Sequence, residues 1–350
     1  MTHRFGIVGS GMIAPIHLAA NRGLAGAQAT GIMDHGSGRG REIAPELDSS
    51  GSDDLDVFIA RDDIDIITVA TPSGLHHEAV MKAAAAGKHC IVEKPMDIRL
   101  RPIDEMIAAH RHAGTLLGGI FNTRYSEAAR MLKRAVEAAR FGRLTFASAV
   151  GPWWREQSYY DASRWKGTWA LDGGGALMNQ GIHSIDLLQW LVNSPITSVS
   201  GRIATLAHEN LEVEDTGAAS LVFENGALGT IACTTSMWPG HFRTITLAGT
   251  EGTAVLGDSN LLVWQFRHET PEDEAIRERY LSLPGPGIGA ANPSVGLDCE
   301  GHRAVFAEFL AALDSGKSPP IDGHEARKAV ATILAIYESA RLGGVPVVPS

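Results

Sequence analysis

Four short stretches of this 350-residue chain carry residue types that do chemistry. The first is Gly9-Ser10-Gly11-Met12-Ile13-Ala14, a G-x-G-x-x-A sequence set between a strand-like and a helix-like run. There the glycines permit a tight turn and close approach of the backbone to a pyrophosphate. The helix start then offers amide donors and the positive end of its dipole. Gly9, Gly11, Met12 and Ile13 are therefore expected to line a dinucleotide site. Asp34 follows 25 residues after Gly9, at the end of the next strand-like run. A carboxylate there accepts both ribose hydroxyls and repels a 2′-phosphate, so NAD is expected in preference to NADP. His35 and Arg39 lie close enough in sequence to soften that choice, and a simple turn acid is the bland alternative for Asp34.

The second stretch is Glu93-Lys94-Pro95, at the end of an apolar run. Ligands of open α/β sheets sit outside the carboxyl ends of the strands. A lysine there donates to a substrate hydroxyl and favours the developing alkoxide; a lone exposed loop lysine would do neither. The third runs from Asp172 through Gly173-Gly174-Gly175 and Asn179 to His183 and Asp186. Three glycines let backbone approach a ligand. On an α-helix Asn179 and His183 share a face, and Asp186 is placed to orient the imidazole. A neutral histidine is a suitable acceptor for a hydroxyl proton near pH 7. The fourth is aromatic: Trp153, Trp154, Tyr159, Tyr160, Trp165 and Trp169. Such side chains line a sugar site or fill a domain or subunit seam equally well. His76 and His77 are adjacent and no Cys/His group has zinc spacing, so no metal is expected. No G-x-S-x-G is present, which argues against a serine hydrolase.

The elements that must position these residues alternate at first. Strand-like runs at 4–8, 28–33, Ile64–Ala70, His89–Val92 and from Leu116 are separated by helical patterns at 12–23, 76–87 and 102–113. Residues 53–61 suit a short helix begun by Ser52, Asp53 and Asp54, or a strand. Alternation of this kind implies a parallel sheet covered on both faces. The pattern changes near 122. An amphipathic helix at 127–140, a strand from Leu144, an irregular stretch at 152–170 and a helix at 174–192 come next. Antiparallel strands follow over 197–264, with Asn225-Gly226 as a type I′ hairpin turn. Helices at 302–314 and 323–341 close the chain; His302 suits either a site role or packing. Two domains are expected, 1–122 and 123–350.

Composition narrows the class. The net charge is −10 with no basic block, which argues against nucleic acid and anionic membrane partners. Three separated cysteines read as free thiols of a reducing compartment. Neither a transmembrane run nor a cleavable leader is apparent, so a cytoplasmic location is expected.

Taken in order, these motifs resemble the glucose–fructose oxidoreductase / inositol dehydrogenase / rhizopine-catabolism (Gfo/Idh/MocA) family over nearly the whole chain. The resemblance rests on Gly9 to Ala14, Thr71-Pro72-Ser73-Gly74-Leu75-His76, Glu93-Lys94-Pro95, Gly173 to Asp186, and Ile321 to Val330. It implies an N-terminal Rossmann doubly wound parallel sheet (α/β) followed by an α+β domain with an open-faced, mainly antiparallel sheet that commonly forms dimers or tetramers. It implies NAD(P)-dependent oxidation or reduction of a secondary hydroxyl on a sugar, polyol or derivative. Lys94 would then contact the reacting hydroxyl and His183 would accept its proton. Thr71, Pro72, Ser73, His76 and Glu93 would line the cofactor cleft, and Asn122 would lie near the nicotinamide ribose. Lys94, Trp165, Asn179 and His183 would meet the substrate. Asn179 departs from the aspartate of many polyol dehydrogenases; an amide holds a hydroxyl but adds no charge to the histidine. The stretch Trp165 to Trp169 looks closer to members acting on hexoses or nucleotide-linked sugars. The rivals are an NAD-dependent glycosidase or epimerase with transient oxidation and no net NADH, and a catalytically dead NAD-sensing regulator.

Overall fold

The computed structural model describes residues 2–47, 54–282 and 299–350. The chain divides into two compact units, residues 1–122 with 297–328 and residues 123–296 with 329–350. In chain order the first unit holds β1 (His3–Val8), α1 (Ala14–Arg22), β2 (Ala27–Met33), α2 (Arg39–Ile43), α3 (Leu55–Ile59), β3 (Ile66–Val69), α4 (His76–Ala85), β4 (His89–Val92), α5 (Leu100–Ala113) and β5 (Leu117–Gly119). The strands lie in the order β2-β1-β3-β4-β5, and every pair is parallel. This is the expected doubly wound sheet. The order reverses between β1 and β3, which makes the loops after those strands the topological switch point.

Local sequence explains the elements. β3 and β4 read as continuous apolar runs because both faces are covered. Asp54 begins α3 by accepting from the amides of Asp56 and Val57, so the ambiguous stretch is a helix there; Ser52 and Asp53 lie outside the described residues. In the second unit Ser126 caps the helix that begins at Glu127, accepting from Ala129 N. Gly114 ends α5 in the left-handed conformation.

The second unit holds α6 (Glu127–Glu137), β6 (Leu144–Pro152), α7 (Gln157–Asp161), a π-turn (Ala176–Gly181), α8 (Ile182–Val192), β7 (Ile196–Ala204), β8 (Thr216–Phe223), β9 (Leu228–Thr234), β10 (Thr244–Gly249), β11 (Gly252–Leu256), β12 (Leu261–Phe266) and α9 (Pro271–Tyr280). Two helices follow, α10 (Glu300–Ser315) and α11 (Gly323–Arg341). The seven-stranded sheet runs β12-β11-β10-β6-β9-β8-β7. It is antiparallel except where β6 pairs in parallel with β9, a pairing the local sequence pattern does not reveal. Burial alternates along β8 and β9, with α8 packed across β6 and β10 on the covered face. Phe146, Val222 and Leu228 stay exposed.

Three expectations need correction. The β8–β9 hairpin is not type I′, because Gly226 alone takes positive φ, at 85°, and Asn225 does not. The Phe223 carbonyl accepts from Gly226 N and the Phe223 amide donates to Ala227 O, the pattern of a type I turn closed by a glycine bulge. The irregular aromatic stretch contains a short helix, α7. Residues 174–192 are not one helix: the chain passes through the π-turn before α8 begins.

Candidate active site

In the first unit the chemistry-bearing residues cluster at the carboxyl ends of the parallel strands. After β1, Gly9 takes φ +108°, and a Cβ there would stand 2.7 Å from Ala70 O and 3.0 Å from Thr71 N. No other residue type fits that crossing of two loops. Gly11 has only Ala70 O nearby, at 3.8 Å, so its face is open for a ligand. Helix α1 starts at Ile13 without a side-chain cap. Pro15 has no N–H, and the amides of Ala14 and Ile16 donate to Gly11 O at 3.3 Å and Ile13 O at 3.0 Å, so what this helix start offers an anion is the positive end of its dipole. Met12 is half exposed, whereas Ile13 packs onto the core of Ile7, Ala14 and Leu18. Thr71 Oγ1 and Asn122 Oδ1 are buried without a hydrogen-bond partner. Two orphaned polar atoms on strand-end loops, with the glycine cradle, fit a dinucleotide that would satisfy them.

Asp34 directly follows β2, the position expected of a ribose-binding acid. Its oxygens accept from Gly36 N at 3.1 Å and Gly40 N at 2.6 Å, so it also builds its own turn. A carboxylate has about four acceptor sites, and two such bonds leave capacity for hydroxyls.

Pro72 leads into the short turn Ser73–Leu75, and Ser73 is buried. His76 links that turn to the loop after β4, with Nε2 2.9 Å from Thr71 O and Nδ1 2.9 Å from Pro95 O. Burial lowers its pKa, and the Thr71 carbonyl offsets part of that. Lys94 is partly buried, and its amide donates to Glu93 Oε2 at 3.0 Å.

Sequence reasoning missed the company Glu93 keeps. His17 Nε2 and His302 Nε2 lie 3.0 Å and 3.1 Å from the same oxygen, Oε1. All three side chains are buried, and their ligand-type atoms fall within 4.8 Å of one another. Both short distances are hydrogen bonds aimed at the carboxylate oxygen itself. Burial works to raise the Glu93 pKa, but the bonds from His17 and His302 hold it well below the usual carboxylate range. Burial also pushes the His17 pKa down. His302 is thus tied to the residue beside Lys94, although it stands 209 positions away in sequence, which no local pattern signals.

In the second unit the glycine run, the π-turn and α8 carry Asn179 and His183. The π-turn's wider coil means that the α-helical i,i+4 relation does not span these two residues. Close packing holds the turn on the sheet. A Cβ on Gly181 would meet Cys233 Sγ at 2.8 Å, and one on Gly217 would meet Leu177 at 2.5 Å. Asp172, which sequence reasoning quoted but gave no role, accepts from Asn179 Nδ2 at 2.6 Å and from Gly167 N at 2.9 Å. A buried carboxylate therefore stands behind the Asn179 amide.

His183 is partly buried at the start of α8. Asp186 engages Arg124 through Nε at 2.8 Å and Nη2 at 2.6 Å, with both side chains buried. This bidentate pair anchors the helix that carries His183.

Glu214 is the second residue missed. Its Oε2 accepts from Gly175 N, and its Oε1 accepts from Leu177 N and the Tyr337 hydroxyl, each at 2.9 Å. Burial pushes its pKa up to about 7, against the pull of those amides.

Among the aromatics, Trp153 is buried, Trp165 is partly buried and Trp169 is exposed. Trp169 meets Tyr337 edge-on at 5.3 Å. Tyr159 lies under Lys166 Nζ at 3.6 Å and accepts from Gln180 Nε2 at 3.3 Å.

The profile described as "Oxidoreductase family, NAD-binding Rossmann fold" matches residues 3–119, and the "GFO/IDH/MocA C-terminal domain" profile matches residues 129–255. A crystal structure of the WlbA dehydrogenase from Bordetella pertussis, in complex with NADH and UDP-GlcNAcA, is 34% identical. It aligns over 100% of this chain and 98% of that one with TM-score 0.88. The 1,5-anhydro-D-fructose reductase of Ensifer adhaerens is 25% identical over 97% of each chain. The NAD-dependent scyllo-inositol 2-dehydrogenase of Bacillus subtilis strain 168 is 26% identical over 92% of this chain and 89% of its own. No helix among the described residues is long and apolar enough to cross a membrane.

Proposed function

The chain belongs to the NAD-binding Gfo/Idh/MocA oxidoreductase family, and from that premise we propose a dehydrogenase acting on a secondary hydroxyl of a sugar or sugar derivative. The observation that carries the reading is the glycine cradle with its two orphaned polar atoms, Thr71 Oγ1 and Asn122 Oδ1, at the strand ends of the first unit; the second unit supplies Asn179, backed by the Asp172 carboxylate, on the π-turn that leads to His183. Among substrate classes a nucleotide-linked sugar is favoured. The relative crystallised with UDP-GlcNAcA is 34% identical over the full chain, against 25% for the anhydrofructose reductase and 26% for the inositol dehydrogenase.

When bound, nicotinamide dinucleotide supplies the carbon that takes or gives hydride. Gly9, Gly11, Met12 and Ile13 would hold its phosphates, Asp34 its adenosine ribose, and Thr71, Pro72, Ser73, His76, Glu93 and Asn122 the remainder. The positive end of the α1 dipole favours the phosphate charge. Lys94 donates to the reacting oxygen and lowers the cost of its alkoxide character. His183 accepts the hydroxyl proton as that oxygen becomes a carbonyl. Asn179, steadied by Asp172, and Trp165 hold the ring in register, and such alignment is a large part of the rate. Cofactor binding is thus assigned to 1–122, and substrate binding and assembly to 123–350. The exposed sheet face with Phe146, Val222 and Leu228 suits a second copy of the chain, giving a dimer or tetramer in the cytoplasm.

The test offers purified protein NAD or NADP with inositols, hexoses, glycosides, uronates and nucleotide sugars, and reads NADH absorbance. NADH growth with one class, lost in His183→Ala, is expected. A flat trace throughout, with conversion of a sugar visible by other means, would favour the redox-neutral glycosidase or epimerase.

A further inference from the structure

The π-turn and α8 hold the two residues proposed to meet substrate, yet the turn is not a regular helix and needs something to fix its start. The three-glycine run cannot do so alone, since glycine leaves the backbone free. The structure instead places one residue of the β7–β8 connection and one of α11 against it. Glu214 engages the turn at three consecutive residues. Its carboxylate takes Gly175 N and Leu177 N at 2.9 Å each, and its own carbonyl takes Ala176 N at 3.0 Å. The amides that begin a helical segment have no partners within it, and here Glu214 satisfies them. Tyr337 then donates at 2.9 Å to Oε1, the same oxygen that takes Leu177 N, and fixes the carboxylate in place.

No slack remains around this contact. A Cβ on Gly174 would run into the Tyr337 hydroxyl, and one on Gly175 into Glu214 O. Every side-chain partner of Glu214 given by the geometry is a donor, so an acceptor-only carboxylate fits and an amide does not. The next anchors along the chain are Asn179 N on Gly175 O at 2.9 Å and the Asp172 carboxylate on the Asn179 amide. A shift at Gly175 is therefore passed directly to Asn179 and to the start of α8.

We infer that Glu214, locked by Tyr337, is a positioning residue for the reaction: it sets the π-turn from which Asn179 and His183 reach the substrate. This rests on the functional reading above. Neither side chain touches the reacting atoms, so the role is exerted through the turn.

The test uses the full-length protein with Glu214→Gln and Tyr337→Phe. In Glu214→Gln one amide hydrogen of the new side chain must face a backbone N–H, so one anchor is lost while size and shape are kept. Steady-state kinetics are expressed per NADH-binding site, which counts only folded molecules. Amide hydrogen exchange is followed in the peptide covering 175–183. Glu214→Gln is expected to lower kcat by about 10- to 100-fold, the range of a sub-ångström to ångström misplacement, with NADH affinity unchanged and exchange in 175–183 faster. Tyr337→Phe, which keeps both backbone anchors, is expected to show a smaller loss of the same kind and serves if Glu214→Gln fails to fold.

A kcat per binding site within about twofold of wild type in both variants would overturn the inference, as would unchanged exchange in 175–183. If wild type itself turns over no hydroxyl substrate, the dehydrogenase reading falls. The exchange measurement then decides the clamp on its own.

Discussion

Replacing Asp186 with alanine removes the carboxylate that faces two nitrogens of a buried guanidinium. Arg124 and Asp186 are 6% and 2% exposed, and their two bonds are 2.6 Å and 2.8 Å long. The arginine is further confined by the Trp190 ring, 5.6 Å from its Cζ. Water cannot replace the lost partner without opening the packing beneath α8. Breaking one side of a buried ion pair costs about 3–5 kcal/mol. At ~2–4 °C per kcal/mol for a unit of this size, the melting transition should fall by roughly 6–20 °C. Replacing both partners together, as Arg124→Met with Asp186→Leu, removes the charge that had to stay buried and should restore most of that loss. Calorimetry of the three proteins at neutral pH is the assay. An Asp186→Ala protein that melts within about 2 °C of wild type, or a double variant no more stable than the single one, would show that the pair does not anchor α8.

Gly9→Ala should raise the Kd for NADH at least about tenfold, because its Cβ would lie 2.7 Å from Ala70 O at φ +108°. Gly38→Ala, at φ +77° with nothing within 4 Å, is the control that separates crowding from backbone strain, and titration of NADH fluorescence reads both. His110 supplies a pH dependence of stability. Burial lowers its pKa to about 4, so between the unfolded value of about 6.5 and that point the unfolded chain binds the extra proton. The stability it contributes is complete above pH ~6.5 and declines as pH falls toward 4, by about 3 kcal/mol in all. Urea denaturation of His110→Gln across that range should show a flatter profile than wild type, and equal slopes would remove the assignment.

Much of this was legible in the sequence because the signals were local. The G-x-G-x-x-A turn, the apolar runs of β3 and β4, and the break after β5 each reflect a backbone or burial requirement of a few residues. The rest depended on partners far apart in the chain. Asn225-Gly226 announces a hairpin, but strand register and the bulge decide the turn type. Residues 174–192 have helical periodicity, and the π-turn at its start is held by hydrogen bonds to Glu214, 39 and 37 positions on from Gly175 and Leu177. Glu93 reads as one acid in a motif. That it gathers His17 and His302 is a consequence of α1 and α10 packing together. Asp186, three residues after His183, suggests an orienting acid; in the fold it is bound to Arg124, which the sequence gives no reason to choose.

In the proposed reaction hydride leaves a hydroxyl-bearing sugar carbon while His183 takes the proton. The most direct test uses the sugar found active in the absorbance panel, deuterated at the oxidised carbon, and weighs the NADH formed by mass spectrometry. Deuterium is expected in the NADH made by wild type, and no NADH from His183→Ala although that variant still binds the cofactor. Product formed with the label released to water and the cofactor unlabelled, or a His183→Ala protein as fast as wild type, would contradict the proposed reaction.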